Sequence, residues 1–444
     1  MEIQNRLKEL LAEFAVPGAS VAVLDGESVE TFTAGVASVD TRQPVTHDMV
    51  FPIGSITKVF TTTLIMQLVD AGDVYLDRRV IDYLPDLKLA SAEQTQGVTI
   101  RHLLTHTSGI AGDHIFDTGS GPTALGRYVE SLATLPELHP PGAMFSYSNS
   151  AFILAGQLLE RMTNHTWADL VRSSLIDPLG LDSMILFPED AGRRPIVSPH
   201  IRGSENHPVS GKMWTEFHAG APAGFTPYAS AEDVVRFARF HLHGGTTGDG
   251  RRLVSAAGIA EMQRPHVDVL PSGGLDATGW GLGWGLHRFG AERGLGHNGG
   301  TSAMLRVLPD RRFAVAVLTN ISGGIRMGST LIGELLRDRF GIQKPVLPPS
   351  ESALTDDHLE RYCGTYRHLS FTASIEPSHA GLKVVTGTDA KQSAASVELS
   401  QVGFDRFVGV FAERGLARAG FVGANIEGPA DYFHMGLRAF RREP

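Results

Sequence analysis

The chain has almost no cysteine, no long apolar run and no visible signal peptide. Cys363 is the only cysteine among 444 residues, which excludes an intramolecular disulfide and a multi-cysteine metal site. No run of about 18 apolar residues occurs, so we expect no membrane-spanning helix. The segment from Met1 to Phe14 predicts an amphipathic surface helix without the uninterrupted apolar core of a signal peptide. If Met1 is the natural start, we expect a cytoplasmic protein.

An excess of positive charge is also absent. The formal net charge is −9, with acidic and basic residues interspersed, so neither nucleic acid nor a membrane surface is an expected partner. The histidines lack metal-ligand spacing, and we assign His102 and His106 structural roles. The sequence contains neither a P-loop nor a Gly-x-Gly-x-x-Gly after a strand, so we expect no metal and no nucleotide cofactor.

Three short motifs carry the chemistry that is present: Ser55-Ile56-Thr57-Lys58, Tyr147-Ser148-Asn149 and His297-Asn298-Gly299. Residues three apart on a helix share a face, so Lys58 can be the base that a weakly nucleophilic serine hydroxyl needs. Apolar residues recur at helical spacing up to the stop signal Ala71-Gly72, which predicts that Ser55 lies at a helix start, where its N–H can serve an oxyanion. Taken alone, Ser-x-x-Lys is better explained as a helix cap followed by a solvated lysine. The combination of motifs indicates a serine acyl-transfer site.

The remaining pattern predicts an α+β fold. A hairpin is predicted at 19–34, and strands at 302–308 and 313–318 precede a predicted helix at 325–340. A mostly helical stretch lies between these halves and includes a predicted helix at 231–242. An antiparallel sheet built from both ends of the domain, flanked by helices and joined to a helical insertion, would leave a cleft between sheet and insertion.

A proline-rich segment divides the chain. Residues 344–350 are predicted to form a semi-rigid linker between a catalytic domain at 1–343 and a second domain at 351–444. In the second domain, short β-rich runs alternate with turn residues, which predicts a small antiparallel sandwich or barrel. Its last strand is predicted at Tyr432 to Phe440.

The motifs together resemble those of the penicillin-recognising serine hydrolases: the serine β-lactamases, the DD-peptidases and their esterase and D-aminopeptidase relatives. In the branch nearest the class C β-lactamases, a Tyr-x-Asn and a late Lys-Thr-Gly or His-x-Gly follow the Ser-x-x-Lys. Further matches lie at 98–109, at Pro141-Gly142 and at 230–233, so the resemblance covers roughly residues 5–340. It implies a β-lactamase/DD-peptidase-like domain, and the tail resembles the lipocalin-like domain of some actinobacterial members.

The resemblance implies a catalytic role for each motif residue. Ser55 would be the nucleophile, and Lys58, when neutral, would be its base. Tyr147 would pass the proton to the leaving group and later activate the acceptor. Asn149 would donate its amide to a substrate carbonyl.

The resemblance also implies the substrate contacts. The N–H groups of Ser55 and Gly300 would form the oxyanion hole, and Gly299 and Gly300 would leave bare backbone against the substrate. Arg438, near the end of the last predicted strand, would bind a peptide's terminal carboxylate through its bidentate fork. The alternative for Arg438 is a solvated surface charge.

His297 is the position at which the chain departs from the β-lactamases and DD-peptidases, which have a lysine there. An imidazole is only partly charged near neutral pH, so penicillinase activity is not expected, and activity should respond to pH near about 6.5 if His297 shares the proton network. His-x-Gly instead resembles D-aminopeptidases, some esterases and the penicillin-binding-protein-type thioesterases that release and cyclise nonribosomal peptides. The thioesterases share a cytosolic location and a lipocalin-like tail, so they lead among the specific hypotheses.

Three hypotheses of different classes remain. In a peptide-cyclising acyltransferase, an amine outcompetes water at the acyl-enzyme. In a hydrolase, water is the acceptor at the acyl-enzyme; this class includes a D-aminopeptidase, an esterase, and a weak β-lactamase or DD-peptidase. A catalytically inactive binding protein is disfavoured because every motif residue is retained. The expected partner is a small peptide-like substrate, free or attached to a carrier protein.

Overall fold

The computed structural model describes residues 2–203, 207–211, 217–269, 277–343, 359–379, 381–388, 391–403, 405–411, 415–423 and 428–444. Within these ranges the α-helices are α1 (Ile3–Glu13), α2 (Thr57–Ala71), α3 (Ala92–Gly97), α4 (Ile100–Leu104), α5 (Ala124–Ser131), α6 (Asn149–Thr163), α7 (Trp167–Val171), α8 (Asp177–Leu179), α9 (Ala231–Leu242), α10 (Ala256–Gln263) and α11 (Ile325–Phe340). None of these described helices is long and apolar enough to cross a membrane.

An antiparallel sheet organises the N-terminal domain. The strands of this domain in the described ranges are β1 (Gly18–Asp25), β2 (Ser28–Gly35), β3 (Phe51–Pro52), β4 (His200–Arg202), β5 (Pro208–Ser210), β6 (Tyr228–Ala229), β7 (Val267–Asp268), β8 (Ala277–Trp280), β9 (Gly285–Phe289), β10 (Glu292–Gly299), β11 (Ala303–Leu308) and β12 (Phe313–Thr319). Eight of them form one sheet in the order β2-β1-β12-β11-β10-β9-β8-β7. The first and last strands of the domain therefore pair side by side in one sheet, as the pattern predicts.

Both faces of this sheet are covered. Along β1, Val21 and Val23 pack in the apolar cluster that contains α1 and α11, whereas Ala22 and Leu24 pack in the cluster that contains α2, α6 and α9. Alternate side chains of a strand point to opposite faces, so β1 is buried on both sides. The predicted helices at 231–242 and 325–340 are α9 and α11. The predicted hairpin is β1–β2, with Asp25 paired to Ser28.

The C-terminal residues form a closed antiparallel barrel. Its strands in the described ranges are β13 (Gly364–His368), β14 (Phe371–Ser378), β15 (Gly381–Thr388), β16 (Lys391–Gly403), β17 (Arg406–Phe411), β18 (Gly415–Val422), β19 (Tyr432–Met435) and β20 (Arg438–Arg442). Aromatic side chains, among them Tyr366, Phe421 and Phe433, fill its interior. The small antiparallel β domain predicted from the sequence is thus confirmed as a barrel.

The last predicted strand is wrong in one respect. Instead of one strand from 432 to 440, the chain forms a hairpin whose turn residues Gly436 and Leu437 have φ angles of +60° and +70°. Two successive positive φ angles close a two-residue hairpin with the twist of the flanking strands. Arg438 therefore begins the last strand and lies beside a hairpin tip. The predicted linker at 344–350 lies outside the described residues, and the domain boundaries stay predictions.

Candidate active site

Ser55 lies at the start of helix α2, as predicted. A turn of 3-10 helix at Gly54–Ile56 leads into α2, which ends at Gly72 in the left-handed conformation. Lys58, one turn beyond Ser55, is 0% exposed. Its Nζ lies 3.0 Å from Ser55 Oγ. A solvated lysine, the alternative explanation of the first motif, is thereby excluded.

The buried amine of Lys58 has three polar neighbours. Besides the Ser55 hydroxyl, Asn149 Oδ1 accepts from Nζ at 2.7 Å and the carbonyl oxygen of Ala223 accepts at 2.6 Å. These two oxygens can only accept, so a neutral amine can donate both its hydrogens to them and direct its lone pair to Ser55. Burial and then the positive charge of Arg438 lower the pKa of Lys58 well below its usual value. The neutral amine is the form that this environment favours.

Tyr147 immediately precedes Ser148, whose side chain caps the N-terminus of helix α6. A hydrogen bond joins the Tyr147 hydroxyl to the Ser55 hydroxyl. Lys58 Nζ lies 4.9 Å from its ring centroid. Burial raises the pKa of Tyr147, whereas the Ser55 hydrogen bond and the charge of Arg438 act in the opposite direction. The side chains of the first two motifs therefore converge on one serine hydroxyl.

His106 holds the backbone on both sides of Tyr147. Its Nδ1 accepts from the Ser148 N–H at 3.0 Å, and its carbonyl oxygen accepts from the Ser146 N–H at 2.8 Å. Its ring stacks on that of Tyr147 with 4.1 Å between centroids. The φ angle of His106 is +58°, a left-handed conformation that its packed surroundings must maintain. These contacts agree with the structural role predicted for this histidine and define it as positioning Tyr147.

His297 lies near the end of β10 and is buried. Its ring centroid is 6.1 Å from that of Tyr147, and its Nδ1 donates to the Asn298 carbonyl oxygen at 2.8 Å. Burial is the largest cause that lowers the pKa of His297 to about 3, and Lys58 adds to this lowering only when its amine is protonated. The expectation of a partly charged imidazole near neutral pH is therefore wrong, because the sequence did not reveal the desolvation of this side chain. His297 is a neutral member of the site.

The glycines that end β10 approach the turn before Ser55 very closely. Gly54 has a φ of +53°, and a Cβ atom at this position would lie 2.7 Å from the Gly299 carbonyl carbon and 3.0 Å from Gly300 N. Only a residue without a side chain fits there. This approach brings the Gly300 N–H next to the peptide that carries the Ser55 N–H. The two groups predicted to form the oxyanion hole are thus brought together.

Arg438 reaches the same site from the barrel. Its Cζ lies 4.8 Å from the ring centroid of Tyr147, and its side chain is 21% exposed. Nε and Nη2 donate to the two carboxylate oxygens of Asp113 at 2.8 and 2.7 Å. His368 Nε2, also from the barrel, lies 3.4 Å from the same carboxylate. Arg438 is therefore not a solvated surface charge, and one edge of its guanidinium is already engaged by Asp113.

Main-chain contacts fix the barrel hairpin against Tyr147. The Leu437 carbonyl oxygen accepts from the Tyr147 N–H at 2.9 Å, and the Ala439 N–H donates to Ser146 Oγ at 3.2 Å. The Leu437 side chain packs on the apolar cluster that contains Tyr147 and Trp280. The β19–β20 hairpin thus forms one wall of the site.

Sequence reasoning missed three parts of this arrangement: Asp113, the Ala223 carbonyl and the hairpin tip. No local motif marks Asp113, and a carbonyl oxygen carries no sequence signal. Gly436 inside a β run was the available sign of a turn. Within the described ranges, no group of three or more His, Cys, Asp or Glu residues is arranged to hold a metal ion.

Comparison with known proteins covers both domains. The family model named Beta-lactamase matches residues 3–334. Penicillin-binding protein 4 of Amycolatopsis lactamdurans is 38% identical over 368 residues, which are 82% of this chain and 96% of that protein. The D-aminopeptidase of Gluconobacter oxydans is 27% identical over 402 residues, 86% of this chain and 69% of that protein. The crystal structure of SurE covers 99% of this chain and 98% of its own, with 28% identity and a TM-score of 0.80. A structure of SurE with D-leucine is 29% identical, also with a TM-score of 0.80.

Proposed function

Because the chain belongs to the β-lactamase family, whose members are serine hydrolases, we propose that it is a penicillin-binding-protein-type thioesterase that releases and cyclises a nonribosomal peptide. The observation that carries this proposal is the seating of the barrel hairpin on Tyr147, with Leu437 O bonded to the Tyr147 N–H at 2.9 Å. Tyr147, which we propose activates the acceptor, is thus held by the C-terminal barrel, whose hairpin forms one wall of the site. The substrate would be a peptide, free or attached to a carrier protein, met in the cytoplasm.

Acylation uses the groups around Ser55. The neutral amine of Lys58, 3.0 Å away, takes the proton as Ser55 Oγ attacks the thioester carbonyl. The N–H groups of Ser55 and Gly300 stabilise the oxyanion. When the tetrahedral intermediate collapses, the C–S bond breaks and Tyr147 gives its proton to the departing thiolate. The ammonium group of Lys58, whose Nζ lies 4.9 Å from the Tyr147 ring centroid, then returns a proton to Tyr147, so both groups are neutral again.

Deacylation reverses these roles with a different acceptor. The free amine of the peptide's other end attacks the ester carbonyl, and Tyr147 accepts the proton that the amine loses while it passes its own phenolic proton to the departing Ser55 oxygen. The Ser55 ester bond breaks, the serine oxygen regains a proton, and the new amide closes the ring. Asn149 supports both steps, because its Oδ1 accepts from Lys58 at 2.7 Å and its amide nitrogen remains available to donate to the peptide.

Cyclisation wins over hydrolysis when the amine is held close to the ester carbonyl, since positioning of this kind gives a very high effective concentration. The barrel hairpin and Arg438 provide the wall against which the peptide would lie. Nη1, which Asp113 does not bind and which donates to the Gly436 carbonyl oxygen at 3.4 Å, has a second N–H that could donate to a carbonyl oxygen of the peptide. The predicted contact with a terminal carboxylate would apply to the linear acid product, since the C-terminus of the substrate is the thioester.

A D-aminopeptidase is the second candidate. The similarity to a D-aminopeptidase and the D-leucine in one of the SurE structures favour a D-configured residue in the acyl position under either proposal. The two candidates share the acyl-enzyme on Ser55 but differ in the acyl donor, which is a peptidyl thioester in one case and the amide of an N-terminal D-residue in the other. They also differ in the acceptor, which is the peptide's own amine or water.

The test is product partition from a synthetic peptide with a D-configured last residue activated as an N-acetylcysteamine thioester. We expect a cyclic product, lighter by one water than the linear acid, from the peptide with a free N-terminus. The matched control is the same peptide with an acetylated N-terminus, which can only be hydrolysed. If the free peptide yields only linear acid, at the rate of the acetylated one, the cyclase proposal is wrong and the hydrolase takes its place.

A further inference from the structure

We propose that Arg438, a barrel residue, is the fixed positive charge of the acyl-transfer centre and keeps both Lys58 and Tyr147 disposed to give up protons. This inference rests on the proposed acyl-enzyme chemistry but does not depend on whether water or an amine accepts the acyl group. It gives the C-terminal barrel a part in the first chemical step. Arg438 would act through Lys58 and Tyr147, so it is a positioning residue.

The first support is the charge state of the groups that face Tyr147. Lys58 Nζ lies 4.9 Å from the ring centroid and Arg438 Cζ lies 4.8 Å from it. His106 stacks on the same ring, and His297 lies next to it. Burial lowers the pKa of Lys58 and of both histidines, which favours the neutral form of all three groups. Among the described residues in contact with the ring, the guanidinium of Arg438 remains the permanent cation.

The second support is the way Arg438 is held. Asp113 binds its Nε and Nη2 in a bidentate pair at 2.8 and 2.7 Å, so the guanidinium has a fixed plane and position. On either side of Arg438, Leu437 O and the Ala439 N–H bond to the segment that carries Tyr147. The cation and the tyrosine are thus tied together by one set of short contacts, and neither can shift without the other.

The positive charge of Arg438 acts in the same direction on Lys58 and on Tyr147, since it lowers the pKa of each. A nearby cation disfavours the ammonium form of Lys58 and favours the phenolate form of Tyr147. After burial, Arg438 contributes most to lowering the pKa of Lys58, and the opposing contribution of Asp113 is smaller. Arg438 also opposes the rise in the pKa of Tyr147 that burial causes. Removing the charge should therefore raise the pKa of both groups, so that Lys58 is harder to deprotonate and Tyr147 is a weaker proton donor.

The experiment measures the rate of acylation from pH 5 to 9 with N-acetyl-D-leucyl N-acetylcysteamine thioester. This acyl donor is neutral and has no carboxylate, so it removes any contribution from carboxylate binding by Arg438. Three variants of the full-length protein are compared: Arg438→Met, Arg438→Lys and Arg441→Met. Arg441 is on the same strand but exposed, and it is the matched control for loss of one positive charge.

We expect Arg438→Met to lower the acylation rate at neutral pH by about tenfold or more. The acid limb of the rate profile, the low-pH region where Lys58 becomes protonated, should move upward by about one pH unit, because loss of a nearby positive charge raises the pKa of a buried amine by that order. Arg438→Lys should restore the position of the acid limb, since it restores the charge, and Arg441→Met should match the wild type. A purely structural role would lower the rate of Arg438→Met and Arg438→Lys alike without moving the limb.

Two results would overturn the inference. One is an unmoved acid limb in Arg438→Met, whatever happens to the rate. The other is a wild-type acylation rate for Arg438→Met with this neutral acyl donor, which would leave Arg438 with substrate binding alone. Failure of the cyclase proposal would show itself differently, as linear product from the wild type, and would leave the comparison of acylation rates intact.

Discussion

Replacing Gly54 by alanine should damage the oxyanion hole without touching any side chain of the site. The new Cβ would lie 2.7 Å from the Gly299 carbonyl carbon, whereas ordinary contacts begin at 3.4 Å, so the end of β10 must move by about 0.7 Å. An oxyanion donor works at about 2.7–3.1 Å from the oxygen, and a shift of this size takes the Gly300 N–H out of range. Loss of one such donor lowers kcat by about 100-fold to 1000-fold.

The alanine also incurs a cost in the backbone. At a φ of +53°, a residue with a Cβ costs roughly 1–2 kcal/mol relative to glycine. Gly72 provides the matched control, because it ends the same helix with a φ of +81° and a Cβ there would meet nothing within 4 Å. Gly72→Ala should therefore lose a similar amount of stability through the backbone alone and keep its activity.

The assay is the second-order rate of serine modification by a fluorophosphonate, read together with the thermal unfolding midpoint. We expect Gly54→Ala to react at least 100-fold more slowly than the wild type, while Gly72→Ala reacts at the wild-type rate. Equal reactivity of the two variants would refute the assignment of the Gly54–Gly299 contact to the oxyanion hole.

The other predictions concern the proton carriers. Lys58→Ala and Tyr147→Phe should each lower the acylation rate roughly 100-fold or more, the scale of positioned proton transfer, and a near-wild-type rate in a stopped-flow assay would remove that residue from the mechanism. Because the pKa of His297 is lowered to about 3, the plot of activity against pH should show no inflection near about pH 6.5. His297→Lys should add an inflection that the wild type lacks. Since the pKa of His297 is lower in the folded chain, its contribution to stability is present above about pH 6.5 and is lost as the pH falls towards 3. The thermal midpoint of His297→Asn should therefore fall less between pH 7 and pH 5 than that of the wild type, and an equal fall would contradict burial as the cause.

Much of the fold could be predicted from the sequence because periodicity and turn residues are local signals. The helices α9 and α11 and the β1–β2 hairpin have strongly periodic apolar residues, and the structure confirms them. The final hairpin was missed for a physical reason. The β-rich residues on both sides of Gly436 form one continuous pattern, so a two-residue turn inside it is visible only when the strands are seen to pair.

Some features of the site could likewise be predicted from the sequence, whereas others depend on the folded chain. Ser55, Lys58, Tyr147 and Asn149 could be named in advance because the three motifs in combination resemble those of the penicillin-recognising serine hydrolases, although Ser-x-x-Lys alone would not have marked them. Electrostatics could not be read from the motifs, because the pKa of His297 depends on burial in the folded chain.

The pairing of Asp113 with Arg438 spans 325 positions and two domains, and no spacing in the sequence marks it. It became apparent only when the barrel was seen against the N-terminal domain. The sequence left Arg438 open between a residue of the site and a solvated surface charge, and it did not reveal the Asp113 carboxylate that holds Arg438 beside Tyr147.

The central claim is that the peptide passes through a covalent ester on Ser55, and one measurement tests it most directly. The protein is mixed with the D-configured peptidyl thioester, quenched within a single turnover, digested and mapped by mass spectrometry. The account predicts an acyl group on the peptide that contains Ser55, which disappears as the cyclic product forms and is absent from Ser55→Ala. An adduct on any other residue, or undiminished turnover by Ser55→Ala, would contradict it.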